Sequence, residues 1–230
     1  MNAKTTSADV RGAAERRGSE NRRANSSRKR EREIIDAAAE IFHRKGYADT
    51  SVQDVADAVG ILKGSLYYYI KSKEDLLFRV LEEVHEDAHG IIEEVAAMDA
   101  PPLERLAAYF RAHVEYNTRN LTKVAVTYHD FGLLSGERRD TIINERHVYE
   151  RFVVGLIKEA QEAGDVRPEV DARLAAYSAL GMANWVYTWY KPSGKTSPEE
   201  LAELISEMIV GGLRAAGNGT GTKPKRRSKS

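Results

Sequence analysis

Two histidines frame the string His85-Glu86-Asp87-Ala88-His89. Imidazoles four residues apart share one helix face and can hold a zinc ion, while the intervening glutamate acts on a metal-bound water. The continuation used by one large group of zinc hydrolases fails here: position 92 is Ile where Gly is required, and no His follows at the needed spacing. Glu104 is a downstream carboxylate that could complete a ligand set, so a zinc hydrolase stands as a distant alternative that zinc content would decide. His129-Asp130 offers no acid–base pair, because adjacent helical side chains diverge. The chain shows no glycine-rich phosphate loop and no nucleophile elbow, so an enzyme is not expected and no cofactor is called for.

A second concentration of chemistry lies between residues 51 and 73. Ser51, Lys63, Gly64, Ser65, Tyr67, Tyr68, Tyr69 and Lys73 supply two cations, several hydroxyls and a glycine that permits close backbone approach. These groups suit phosphate oxygens and base edges. Three consecutive tyrosines at helical spacing cannot all face a core, so at least one phenol must point outward. The bland alternative is that the tyrosines are half-buried packing residues and Lys63 a solvated cation. Charge, turn and hydroxyls converging in one segment argue against it.

Such groups work only if short helices hold them. Ile34, Ala38, Ile41 and Phe42 repeat at helical spacing and predict a helix from about Ser27 to Lys45, ended by Gly46 in a left-handed conformation. Ser51 is placed to cap a short helix, with Asp54 facing its first-turn amides and Val52, Val55, Ala56 and Val59 as the inner face. Gly60 breaks that helix, and a third helix is expected over about Gly64 to Ile70. Ser72 caps a fourth, reaching about Ala97. This is a helix-turn-helix: Ala56 is the small crossing residue, Ile61 and Leu66 are anchors, and the second helix enters the major groove by its N-terminal end. Asp99-Ala100-Pro101-Pro102 is the clearest later break. Further helices are expected over Leu103–Arg119, Leu121–Leu133, Arg138–Ala163, Val170–Tyr190 and Pro198–Ala215. The expected fold class is all-α.

The formal net charge of zero hides an uneven distribution. Residues 1–33 carry a net +5, residues 217–230 another +5, and the 183 residues between them −10. Residues 1–26 and 217–230 hold few large apolar side chains and are expected to be disordered basic segments, able to release counterions from DNA. There is no cysteine, hence no disulfide or thiolate site. No apolar run approaches the roughly 20 residues that span a bilayer. The polar N-terminus lacks a signal-peptide core, so a cytoplasmic protein without a membrane partner is expected.

Residues 28–77 resemble the DNA-binding region of tetracycline-repressor-type (TetR family) regulators. The likeness rests on Gly46-Tyr47, Thr50-Ser51-Val52-Gln53-Asp54-Val55-Ala56, Gly60-Ile61, Lys63-Gly64-Ser65-Leu66-Tyr67-Tyr68-Tyr69 and Ser72-Lys73-Glu74-Asp75-Leu76. It departs at Leu62 where Ser is usual, at Tyr69 where His is common and at Ile70 where Phe is common, which bears on operator preference. The resemblance implies that Ser51, Tyr67, Tyr68 and Lys73 contact phosphates while Lys63, Gly64 and Ser65 approach base edges of double-stranded operator DNA. The expected organisation is a helix-turn-helix domain over 27–72 and a ligand-binding and dimerisation domain over 73–216.

Dimers reading two half-sites are the usual way for a short reader to gain specificity. Tyr177, Gly181, Trp185 and Thr188 share one face, and Leu201, Leu204, Ile205, Met208, Ile209 and Gly212 make a stripe on the last helix. In the family these two helices form a four-helix bundle between protomers, which implies a homodimer. The aromatic run from Asn184 to Pro192, with Ser193-Gly194 and Ser197-Pro198-Glu199-Glu200, resembles the corresponding region of regulators of fatty-acid and steroid degradation. Glu145-Arg146-His147-Val148-Tyr149-Glu150 and Gly164-Asp165-Val166-Arg167-Pro168 add to that likeness. Members of that subgroup respond to acyl-coenzyme A thioesters, which implies a small-molecule effector of this kind and repression as the mode. A helix-lined pocket would take apolar walls from Phe110, Val114, Val124, Tyr128, Phe131 and Trp185, while Arg146, Asn184 and Lys191 meet phosphates or the thioester. The alternative is a multidrug sensor controlling efflux or detoxification. A purely architectural DNA binder would leave two thirds of the chain without a task.

Overall fold

The computed structural model describes residues 7–215, with side chains from 26 onward. The described residues fold into helices α1 (Ser7–Lys45), α2 (Val52–Ala58), α3 (Lys63–Leu66), α4 (Lys73–Ala96), α5 (Pro102–Arg119), α6 (Leu121–Asp130), α7 (Gly136–Glu162), α8 (Ala172–Asn184) and α9 (Pro198–Leu213). Single 3-10 turns follow α6 at Phe131–Leu133 and α8 at Trp185–Thr188. The only extended pairing among the described residues is an isolated antiparallel bridge between Val166 and Arg214.

Local chemistry sets most of these boundaries. Gly46, Gly60 and Gly164 end helices at φ 87, 67 and 81°, a region that L side chains avoid. Ser51 and Asp54 form a reciprocal capping box on α2, and Ser197 and Glu200 form another on α9. The Ser72 hydroxyl accepts from the Asp75 amide at 3.0 Å, capping α4.

Three expectations differ from the structure. Helix α1 begins at Ser7 rather than near Ser27. Segment 7–26 holds five Arg and four Ala, which favour helix even where little apolar surface is available. Second, α3 stops at Leu66, and Tyr67–Tyr69 tighten into turns in which Tyr68 and Tyr69 donate three residues back. Aromatic side chains are mediocre helix formers. Third, α8 gives way to a 3-10 turn at Trp185 instead of running to Tyr190. The segment 217–230, expected to be a disordered tail, lies outside the described residues.

The described residues divide into two compact units, one of residues 7–84 and 122–139, the other of 85–121 and 140–215. The first division, between Val84 and His85, falls within α4. In the first unit Ile34, Ala38, Ile41, Phe42, Val55, Ala56, Leu66, Leu76, Leu77, Val80 and Leu81 are buried. Ion pairs tie later segments to α1: Arg79 pairs with Glu31, and Lys123 reaches Asp36 at 2.6 Å and Glu83 at 3.1 Å. The two carboxylates raise the Lys123 pKa against the opposing effect of its burial, which is the largest influence on it. These long-range contacts make Thr122–Arg139 part of this unit.

The second unit has an apolar core from α5, α7, α8 and α9, including Leu106, Tyr109, Phe110, Val114, Leu156, Ile157, Ala176, Leu180, Ile205 and Ile209. Ser206 on α9 donates to the Ala107 carbonyl on α5 at 2.9 Å, and Arg105 pairs with Glu159 at 3.1 Å. No helix among the described residues is long and apolar enough to cross a membrane.

Candidate nucleic-acid interface and effector region

The turn between α1 and α2 fixes the reader. Thr50 is buried, and its hydroxyl donates to the Gly46 carbonyl at 2.8 Å. The Lys73 ammonium sits 4.4 Å from the centre of the Tyr47 ring and donates to the carbonyls of Tyr47, Ala48 and Thr50 at 2.9, 3.2 and 2.9 Å. All three N–H donors of an ammonium are thereby used. In the free chain the Lys73 ammonium, expected at a phosphate, is committed to this turn and clamps it where α2 begins. Ser51 is similarly committed, accepting from the Asp54 amide at 3.2 Å and donating to its carboxylate at 2.7 Å. Bonds from the Ser51 hydroxyl and amide, then from Lys45, hold the Asp54 pKa at about 2. Ser51 therefore shapes the start of α2, with its proton engaged locally rather than offered to a phosphate.

The reading end itself is bare. Lys63 and Gly64 are exposed and Ser65 is half-buried. A Cβ built on Gly64 meets no atom within 4 Å, so a ligand can approach the backbone there. Tyr67 is 49% and Tyr68 90% exposed, whereas Tyr69 is half-buried and lines a groove with Lys29 and Arg30 of α1. Two phenols face outward, one more than the minimum the tyrosine run requires. Lys29 is a further cation beside this end that spacing within the motif could not reveal, because it comes from another helix.

In the second unit the residues expected to meet an effector separate. Phe110 and Val114 are fully buried, and Asn184 accepts from the His113 Nε2–H at 2.7 Å. Trp185 is 61% exposed and Lys191 is exposed, so both face away from the interior rather than lining it. Tyr128 and Phe131 belong to the first unit. Sequence reasoning missed that two histidines of the second unit, His85 and His113, are buried. His85 is 3% exposed, stacks on Tyr149 with centroids 5.8 Å apart, and keeps a buried Nε2 without a hydrogen-bond partner. Burial, and then the charge of Arg146, push its pKa down to about 4 against the pull of Glu145. His113 stacks on Tyr109 at 5.5 Å, its Nδ1 is likewise buried without a partner, and burial lowers its pKa.

The histidines of the zinc-like string take different partners, His85 against Tyr149 and His89 with Glu145. Among the described residues no three His, Cys, Asp or Glu side chains gather to hold a metal.

A three-helix reader with an exposed basic and phenolic end, followed by a larger helical unit, defines a helix-turn-helix transcription regulator. Residues 34–80 match the model of the bacterial regulatory proteins of the tetR family, and residues 99–213 match the tetracyclin repressor-like C-terminal domain. The chain belongs to the TetR family. It is 30% identical to the HTH-type transcriptional repressor KstR2 of Mycolicibacterium smegmatis, over 79% of this chain and 89% of that protein. It is 27% identical to the fatty acid metabolism regulator protein of Bacillus subtilis, over 79% of this chain and 94% of the other. The structure of AibR in complex with isovaleryl coenzyme A and operator DNA is similar, with a TM-score of 0.71, 33% identity, and coverage of 78% of this chain and 97% of that one. The family places this chain among regulators and sets aside the zinc-hydrolase reading of His85 and His89.

Proposed function

We propose that the chain is a dimeric, cytoplasmic repressor released from its operator by an acyl-coenzyme A thioester, controlling genes of lipid or steroid breakdown. The observation that carries this reading is the similarity, over more than three quarters of the chain, to a regulator bound to both isovaleryl coenzyme A and operator DNA. The likeness to a fatty acid metabolism regulator supports it. Lys63, Gly64 and Ser65 approach base edges, Tyr67 and Tyr68 donate to phosphates, and Ser51 and Lys73 hold the geometry. Dimerisation uses the outer face of α8 and α9. Leu201, Ile205 and Ile209 are spent on the core, while Leu174 on α8, Leu204 and Met208 on α9, and Trp185 just after α8 remain exposed, apolar side chains that a partner protomer would cover.

Binding of the effector must favour a conformation whose two readers no longer match the half-site spacing, because only differential affinity can shift an equilibrium. Helix α4 runs through both units and is the continuous element able to carry that change. Arg146, Phe110 and Val114 remain the effector contacts this reading uses in the second unit.

Footprinting on a selected operator tests the reader. Lys63→Ala lowers specific affinity by about 1–3 kcal/mol and blurs sequence preference if Lys63 reads a guanine, whereas Tyr67→Phe weakens all sequences alike. Parent-like footprints from both variants would move the reading end elsewhere.

A further inference from the structure

We infer that Leu62 reads the 5-methyl group of a thymine in the operator, and so fixes a base pair that Lys63, Gly64 and Ser65 do not. Leu62 is 79% exposed, more than any large apolar side chain described except Tyr68. It occupies the position immediately before α3, with extended backbone at φ −67°, ψ 143°, and its side chain makes no capping hydrogen bond. Its carbonyl accepts from the Ser65 and Leu66 amides at 2.9 and 3.2 Å, so the backbone there is fixed while the side chain does nothing for the fold. Leucine is among the poorest residues at such a position, and serine is among the best. Neither packing nor capping accounts for Leu62, and local rules broken without compensation mark functional positions.

Its neighbours say what it faces. Exposed Lys63 and the open surface of Gly64 adjoin it, at the end of a helix-turn-helix reader that enters the major groove. Isobutyl carbon has no donor or acceptor to offer a base. Against guanine, cytosine or adenine edges it would strip water from polar atoms and return nothing. The apolar feature of the major groove is the thymine methyl group, and aliphatic side chains recognise it by contact. The side chain thus supplies one-base specificity beside a cation that supplies hydrogen bonds.

Binding sites selected from a randomised duplex library by the parent and by Leu62→Ser test this. The parent selects a half-site with one position restricted to thymine, and that position relaxes in Leu62→Ser while the rest of the motif stays. In the best parent operator, each thymine is then replaced in turn by deoxyuridine, which removes only the methyl group. At one position this weakens parent binding about 4-fold per half-site, the value of one buried carbon, and leaves Leu62→Ser unaffected. The Leu62→Ser variant melts no lower than the parent, since serine can cap α3, so an affinity loss is not unfolding. An unchanged motif in Leu62→Ser, or indifference of the parent to every deoxyuridine, overturns the inference while leaving the regulator reading intact. Failure of the parent to enrich any sequence overturns both.

Discussion

Replacing Lys73 with methionine lowers the stability of the first unit by about 2–3 kcal/mol and weakens operator binding at least 10-fold, without changing its salt dependence. The side chain keeps its length and loses its charge. Three charge-assisted bonds to the Tyr47, Ala48 and Thr50 carbonyls disappear, together with the contact over the Tyr47 ring. Each bond to a charged donor is worth about 1.5–3 kcal/mol where desolvated. Water replaces part of that at this half-buried turn, which keeps the total below the sum. Affinity falls because the turn sets where α2 begins. The salt slope separates the positioning role from a phosphate contact: a lysine that meets a phosphate removes about one unit of slope when lost. A parent-like melting temperature combined with a shallower slope would restore Lys73 to the DNA backbone.

Stability also falls steeply on mild acidification, between about pH 6.5 and pH 4, and His85→Phe removes much of that fall. His85 titrates at about 4 in the folded chain, against an ordinary value of 6.5. Between these values the unfolded chain binds the proton that the folded one refuses, so unfolding is favoured as pH drops through the window. Stability from the neutral, buried ring is complete above the unfolded value and is lost towards the folded one. One pKa unit corresponds to about 1.4 kcal/mol, so His85 accounts for about 3 kcal/mol over the window. His113, shifted in the same direction by burial, adds to it. Phenylalanine preserves the stack on Tyr149 and removes a buried Nε2 that lacks a partner, so the variant loses little stability at pH 7.5. Urea midpoints at pH 7.5, 6 and 5 measure this. Parallel pH profiles for parent and variant would place the acid sensitivity in other groups.

Residues whose meaning is local were legible in the sequence. Gly46, Ser51 with Asp54, Gly60 and Ser72 each mark a helix end through their own backbone or cap chemistry, and the structure places those ends within a residue or two. The apolar stripe of α1 is buried because a 3.6-residue period names a face without needing its partner. What the sequence concealed depends on distance along the chain. Lys73 bonds to carbonyls 23 to 26 residues away, and no spacing rule within a motif could show that its ammonium is fully used. The stripe on α9 was visible, but not its division into core residues such as Ile205 and outward ones such as Leu204. Trp185 read as a pocket wall because aromatic residues favour interiors. The 3-10 turn it begins carries it to the surface. The burial of the two histidines escaped notice because His85 was read as part of a metal motif and nothing around His113 in the sequence announces Asn184.

Release of the operator by a thioester is the central claim, and titration of acyl-coenzyme A species into the protein–operator complex tests it most directly. Thioesters from isovaleryl to long-chain and sterol-derived acyl groups are added to the complex and followed by fluorescence anisotropy of labelled operator DNA. The account predicts that at least one class lowers operator affinity by about 5- to 150-fold, the usual range for coupling between two sites, while coenzyme A alone and the free acids do not. If no thioester changes operator affinity and free apolar drugs do, the chain is a multidrug sensor and the acyl-coenzyme A account is wrong.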